Sequence, residues 1–213
     1  MPHPLSGGVG RVRGTAHALI GGAAGAILAA GLHTPVVPLA LVGAFGGLLP
    51  DIDHPYSTLG QYFPWPSVAQ PGRGAFVAHG RRWFGGRTVW HRGETHSVGA
   101  AAIAAAGTAG ITVGVLWWLR GSAAIITALA RTGIHPHPWA WGGLAAGAVL
   151  AGYVSHLAAD TVNISPQMAW WPCSRRMVHP PWHGVREASL AGHALEWAAM
   201  AVSVAAALAM AGR

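Results

Sequence analysis

From Ser97 to Leu119 the chain reads "SVGAAAIAAAGTAGITVGVLWWL", with no charged side chain anywhere in the run. A helix that is apolar on every side belongs in a bilayer or a deep core. Four further apolar runs flank this one: Thr15 to Gly31, Pro35 to Leu49, Trp139 to Asp160 and Ala188 to Ala211. Crossing a bilayer takes about 20 apolar residues, with a range of about 17–25. The last three runs in chain order meet that length. The first two are short, and Pro35 and Pro38 open the second. They read as short tilted spans or as a hairpin that enters and returns.

Only 9% of the 213 residues are charged, against about a quarter in soluble domains. The expected fold is therefore all-α: a single polytopic membrane bundle of about five helices over residues 1–213, with an extra loop at 54–95 between helices two and three. A short helix, Ala123–Ala130, is expected in the Arg120–Pro138 connection, and no strand alternation is visible. Gly21 with Gly25, and Gly143 with Gly147, have the four-residue spacing that lets membrane helices approach closely. The net charge of +7 raises nucleic-acid binding, but the arginines fall between apolar runs rather than on one polar face, so no nucleic-acid partner is expected. Cys173 is the single cysteine, which excludes an internal disulfide and most cysteine-based zinc sites.

There is no lysine, so arginine alone reports topology. With a cytoplasmic N-terminus, Arg11, Arg13, Arg73, Arg81, Arg82, Arg87, Arg92, Arg175, Arg176 and Arg186 share the inner side. Only Arg120, Arg131 and Arg213 fall outside. The same topology brings His17, Asp51, Asp53, His91, His96, His156, Asp160 and Glu196 to the cytoplasmic end of the bundle. In "SHLAAD", His156 and Asp160 stack on one helical face. In "GGLLPDIDHPYSTLG", Asp51 and Asp53 follow Pro50, where a helix ends. In "HRGETHS", His91 and His96 straddle a Gly-containing turn. Carboxylates at a membrane edge are costly unless cations offset them, and imidazole with carboxylate suits zinc or manganese. These eight residues are the expected metal ligands. They exceed one tetrahedral shell and are enough for two divalent metals about 3.5–4 Å apart.

Taken in order, "LLPDIDHPYSTLGQ", "HRGETHS", "GYVSHLAAD", "WWPC" and "GHALE" resemble the YdjM-like family, inner-membrane metal-dependent hydrolases under LexA control. The likeness runs from about Thr15 to Leu208. It carries over Asp51, Asp53, His54, His91, Arg92, His96, His156 and Asp160; His17 and Glu196 match by place and type. The segment "TVNISPQMAW" departs from the family's Thr-Pro and Gly-rich turn. A more distant analogy is zinc-dependent phospholipase C, also all-α with an HxxxD helix pair.

The expected function is hydrolysis by metal-activated water, of a phosphoester in a lipid or amphiphilic substrate at the cytoplasmic leaflet of the inner membrane. Asp51 or Asp53 would be a ligand while the other takes the water's proton, and Arg92 would hold an anionic group. His54, Thr95, Ser97, Arg175 and Arg176 are expected to support the ligands or bind substrate. Two alternatives stay open: a metal that only braces the fold, and a metal or ion transporter. Oligomeric state is not legible.

Overall fold

The computed structural model describes residues 6–64, 66–71, 77–82, 88–131, 137–161, 166–178 and 190–211. Its helices are α1 (Ser6–Gly31), α2 (Val36–Leu48), α3 (Val98–Leu119), the short α4 (Ala123–Arg131), α5 (Pro138–Asp160) and α6 (Leu190–Ala211). Four stretches are long and apolar enough to cross a membrane: Gly14–Gly31, Val36–Asp53, Val98–Leu119 and Pro138–Asp160. A shorter apolar stretch, Met200–Ala209, lies in α6. The chain is a helical membrane bundle, and both short N-terminal runs reach spanning length.

Glycine sets how α1, α2 and α5 meet. A Cβ on Gly21 would come within 2.5 Å of the Gly43 carbonyl oxygen, and one on Gly43 within 3.0 Å of Gly25 Cα. Gly21 also faces Gly47, and Gly25 faces Leu39. The residue numbers rise on one helix as they fall on the other, so α1 and α2 are an antiparallel hairpin in backbone contact. Gly152 of α5 abuts Gly43 and Gly47 in the same way. The expected Gly143–Gly147 contact is corrected. A Cβ on Gly143 would meet nothing within 4 Å, and one on Gly147 would meet only the Leu28 side chain, at 3.2 Å. At about 100° per residue Gly143 falls opposite Gly152, away from α2.

Away from the polar end, Ala29, Leu39 and Ala148 pack together without solvent contact. α3 leans on α5 through Ala101, Tyr153 and Leu157. Most of its remaining surface is exposed, as with Ile111 and Trp118, which suits a helix bathed in lipid.

The 54–95 connection is not only loop. It holds an antiparallel sheet in the order β1 (Ser67–Pro71), β2 (Val77–Arg82) and β3 (Thr88–Trp90). Gly80 pairs with Val68 on one side and Trp90 on the other. Alternation is absent from the sequence because "SVAQP" and "VAHGRR" carry no apolar face, and Pro71 and Gly80 are poor strand formers. β3 delivers the chain directly to His91.

Candidate metal centre

Pro50 starts the site. Without an N–H, and with a ring that crowds the preceding turn, it ends α2 and tightens Leu49–Asp53 into a 3₁₀ turn. Asp51 and Asp53 then face the bundle end; Asp53 is fully buried and the Asp51 side chain is 19% exposed.

"HRGETHS" folds as two tight turns. The Gly93 N–H donates to Trp90 O at 2.8 Å, and the His96 N–H to Gly93 O at 3.1 Å. Arg92 sits at φ 63°, a left-handed conformation that costs a non-glycine residue about 1 kcal/mol or more and persists only where its surroundings fix it. Two fixations are visible: the Met168 N–H bonds Arg92 O at 3.0 Å, and Arg92 Nη2 lies 3.3 Å from Asp160 Oδ1. The end of the "TVNISPQMAW" segment, at Met168 and Ala169, thus has a structural task. Ala169 O and Trp171 O also accept the first N–H groups of α3, from Val98 and Gly99.

On α5, Tyr153, His156 and Asp160 share one face. His156 Nδ1 lies 2.7 Å from Gly47 O, so it carries the hydrogen, which turns the Nε2 lone pair toward the cluster. Tyr153 donates to Thr95 O, and the Thr95 hydroxyl donates to Asp53 Oδ2. Asp53 Oδ1 is 3.1 Å from His91 Nδ1.

These elements converge. Asp51 Oδ1 is 3.3 Å from His96 Nε2 and 3.6 Å from His156 Nε2. Asp160 Oδ2 is 3.4 Å from the first and 3.6 Å from the second. His17 of α1 stacks on His156 with centroids 3.9 Å apart, its Nε2 4.0 Å from Asp160 Oδ1. Two donor sets can each hold a metal ion: His17, His156 and Asp160, and Asp51, His91 and His96, with ligand atoms within 4.8 Å of one another in each.

The residues fit a cation. His96 Nε2 and His156 Nε2 are buried without a hydrogen-bond partner although carboxylate oxygens stand close to both. Such an arrangement is costly for polar atoms left to themselves. Donors around one tetrahedral ion at about 2.0–2.1 Å stand about 3.3–3.4 Å apart, close to the spacings seen here. The local field favours positive charge as well. Burial opposes a charged His96 imidazole, but the Asp160 and Asp51 carboxylates outweigh it and raise its pKa to about 10.

Of the expected ligands, His17, Asp51, His91, His96, His156 and Asp160 come together. Asp53 falls outside both donor sets and orients His91. Glu196 is on α6, which packs on α1, but its side chain lies outside the described residues, as does that of His193. His54 packs edge-on to His91 with ring centroids 4.7 Å apart. Thr95 donates to Asp53. Ser97 does not support the site: it caps α3, accepting from the Ala100 N–H at 3.1 Å and donating to Glu94 O. Arg92 is held on Asp160. Arg175 and Arg176 are exposed. Sequence reasoning missed Tyr153 and the Gly47 carbonyl. Tyr153 had a signal, being one turn before His156 on the same face; a backbone carbonyl has none.

Fold and cluster together define a class: a polytopic helical membrane protein with a buried histidine–aspartate constellation that could hold a metal ion. The chain belongs to the YdjM inner membrane protein family, whose profile matches residues 12–213. Proteins called "Inner membrane protein YdjM" from Escherichia coli (strain K12) and Shigella flexneri are each 31% identical to it over 154 residues, covering 72% of this chain. The chain spans 58% of the length of these relatives. No solved structure matches it. Family and spans together make it a multi-pass protein of the bacterial inner membrane.

Proposed function

We propose that the chain is a membrane-embedded, divalent-metal-dependent hydrolase that cleaves a phosphoester in a lipid or amphiphilic substrate at the cytoplasmic leaflet. The observation that carries this reading is the pair of buried, unpartnered Nε2 atoms of His96 and His156, each facing the Asp51 and Asp160 carboxylates. Because both carboxylates face both histidines, the six donors suit two adjacent cations, zinc foremost and manganese next. Divalent cations held there supply Lewis acidity and an acidified water near neutral pH. Asp51 is the most exposed carboxylate of the cluster and is placed to accept a proton from the solvent side. Arg92 holds Asp160 in place and adds positive charge that suits a phosphoryl group. The weight of arginine on the cluster's side favours a cytoplasmic site.

Two features bear on the alternatives. Beyond the cluster, Ala29, Leu39 and Ala148 close together in a buried apolar contact, which counts against transport. The tie from Arg92 to Asp160 favours a bracing metal as the second reading. Metal analysis of the purified protein, paired with a screen of phosphoester substrates in micelles, separates the two. The hydrolase reading expects bound metal and turnover, both lost in His156→Ala. Bound metal with no turnover of any phosphoester sinks it and leaves the brace.

A further inference from the structure

An apolar pocket of about 280 Å³ adjoins the cluster, between the start of α3, the Leu49–Asp53 turn and α5. It is near the lower bound of small-ligand pockets, about 300 Å³. The pocket and the cluster share a wall. Thr95 lines the pocket and donates to Asp53; Tyr153 lines it and donates to Thr95 O; Ile52 lines it and stands between Asp51 and Asp53 in the chain. Its other side is formed by Ala100, Ile103 and Ala104, near the start of a spanning helix, where Ile103 is 64% exposed. One side therefore backs onto the metal-ligand cluster and the other opens on the exposed face of a spanning helix.

We infer that this pocket takes one hydrocarbon chain of a membrane amphiphile and so places that molecule's polar head at the Asp51–His96 cluster. Three features define the occupant. The lining is apolar but for Glu94 and Thr95, so it offers a chain contact and almost no hydrogen bonding. The volume suits part of one chain and not two, so the rest of that chain and any second chain stay in the bilayer. The position at the edge of the span is where a lipid's chain meets its head. The inference rests on the proposed hydrolase reading only for what happens to the head; chain binding stands apart from it.

The test uses the full-length protein in vesicles containing phosphatidic acid with a diazirine on one acyl chain, irradiated and mapped by mass spectrometry. Label is expected at Ile52, Ile103 and Trp171. Ala104→Phe, which fills the pocket, is expected to cut that label by about tenfold, and Ala104→Val by less. Metal content and helical circular dichroism report whether each variant folds. In parallel, hydrolysis of dipalmitoyl and dibutyryl phosphatidic acid is compared, and the ratio of their kcat/KM values should fall by about tenfold in Ala104→Phe. Label spread along the outer face of α3, equal at Ile111 and Trp118 and indifferent to Ala104→Phe, overturns the inference even if hydrolysis is found. Pocket labelling that Ala104→Phe removes, with neither lipid hydrolysed, upholds the chain site and overturns phosphatidic acid as the hydrolysed substrate instead.

Discussion

Replacing Gly47 with alanine should weaken metal binding without replacing any ligand residue. Gly47 does two things: its carbonyl holds His156 Nδ1 at 2.7 Å, and its missing side chain lets α1 approach. An added Cβ would press on the His17 carbonyl oxygen and lie 3.2 Å from its carbon and 3.3 Å from Gly21 Cα. All three obstacles are backbone, so a helix must move. Overpacking of this kind costs about 1–3 kcal/mol. Disturbing a group that orients a metal ligand costs about 10–100-fold in affinity, equivalent to about 1.4–2.8 kcal/mol. The two routes agree, so Gly47→Ala should raise the zinc Kd by about 10–100-fold. Competition against a chromogenic chelator in detergent measures it. Gly143→Ala is the matched control, since a Cβ there meets nothing within 4 Å. It should leave the Kd unchanged and, by removing a mid-helix glycine, add up to about 1 kcal/mol of stability. Equal zinc affinity in Gly47→Ala and wild type would refute the argument that α1–α2 contact positions the cluster.

Other substitutions probe single links. His96→Ala and His156→Ala each remove a buried nitrogen facing two carboxylates; both should bind less than half the wild-type metal by elemental analysis, and full occupancy in either removes that residue from the ligand set. Thr95→Val breaks the bond to Asp53 with little change in shape and should weaken metal by about 10–100-fold, with Thr95→Ser restoring it. Tyr153→Phe leaves Thr95 O without its donor and should cost about 1 kcal/mol, read as a lower Tm; no change in Tm means the bond is replaced by water.

What the sequence revealed of the site depended on the range of each signal. His156 and Asp160 were legible because helical periodicity puts residues four apart on one face. Asp51 and Asp53 were legible because a proline closed an apolar run just before them. His17 was legible once the topology was drawn, since alternating spans bring its end of α1 to the other donors. Contacts to the backbone were not legible: nothing in "FGGLLP" marks the Gly47 carbonyl as the partner of a histidine on α5. Ser97 has the spacing of a site residue and the chemistry of a helix cap, and only coordinates separate the two. The Gly143–Gly147 spacing has the same form as Gly21–Gly25. It fails because spacing fixes the width of a smooth face, not the direction in which that face points. The sheet at 67–90 was hidden because its strands carry no apolar alternation, and pairing of backbone groups alone leaves little trace in residue choice.

The cluster also explains why a chain with so few acids gathers Asp51, Asp53 and Asp160 at one buried point. Among the described residues, three carboxylates stand against one guanidinium, that of Arg92. With His96 charged, as its raised pKa implies near neutral pH, the balance is three negative against two positive, a net of minus one. Buried charge of one sign is destabilising unless it is paired, so the polypeptide carries a cost there that divalent cations remove. The consequence is testable by separating stability from binding. Asp51→Asn keeps the shape of the side chain and removes one negative charge, which is the excess over Arg92 and His96. In chelator its Tm should rise above wild type, as is common when a functional site is relieved of its strain. In saturating zinc the order should reverse, because wild type gains by binding, about 2.7 kcal/mol at a hundred times Kd, and the variant gains far less. A variant less stable than wild type in chelator would mean that the Asp51 contacts with His96 and His156 hold the apoprotein together, and that the cluster was not built around a cation.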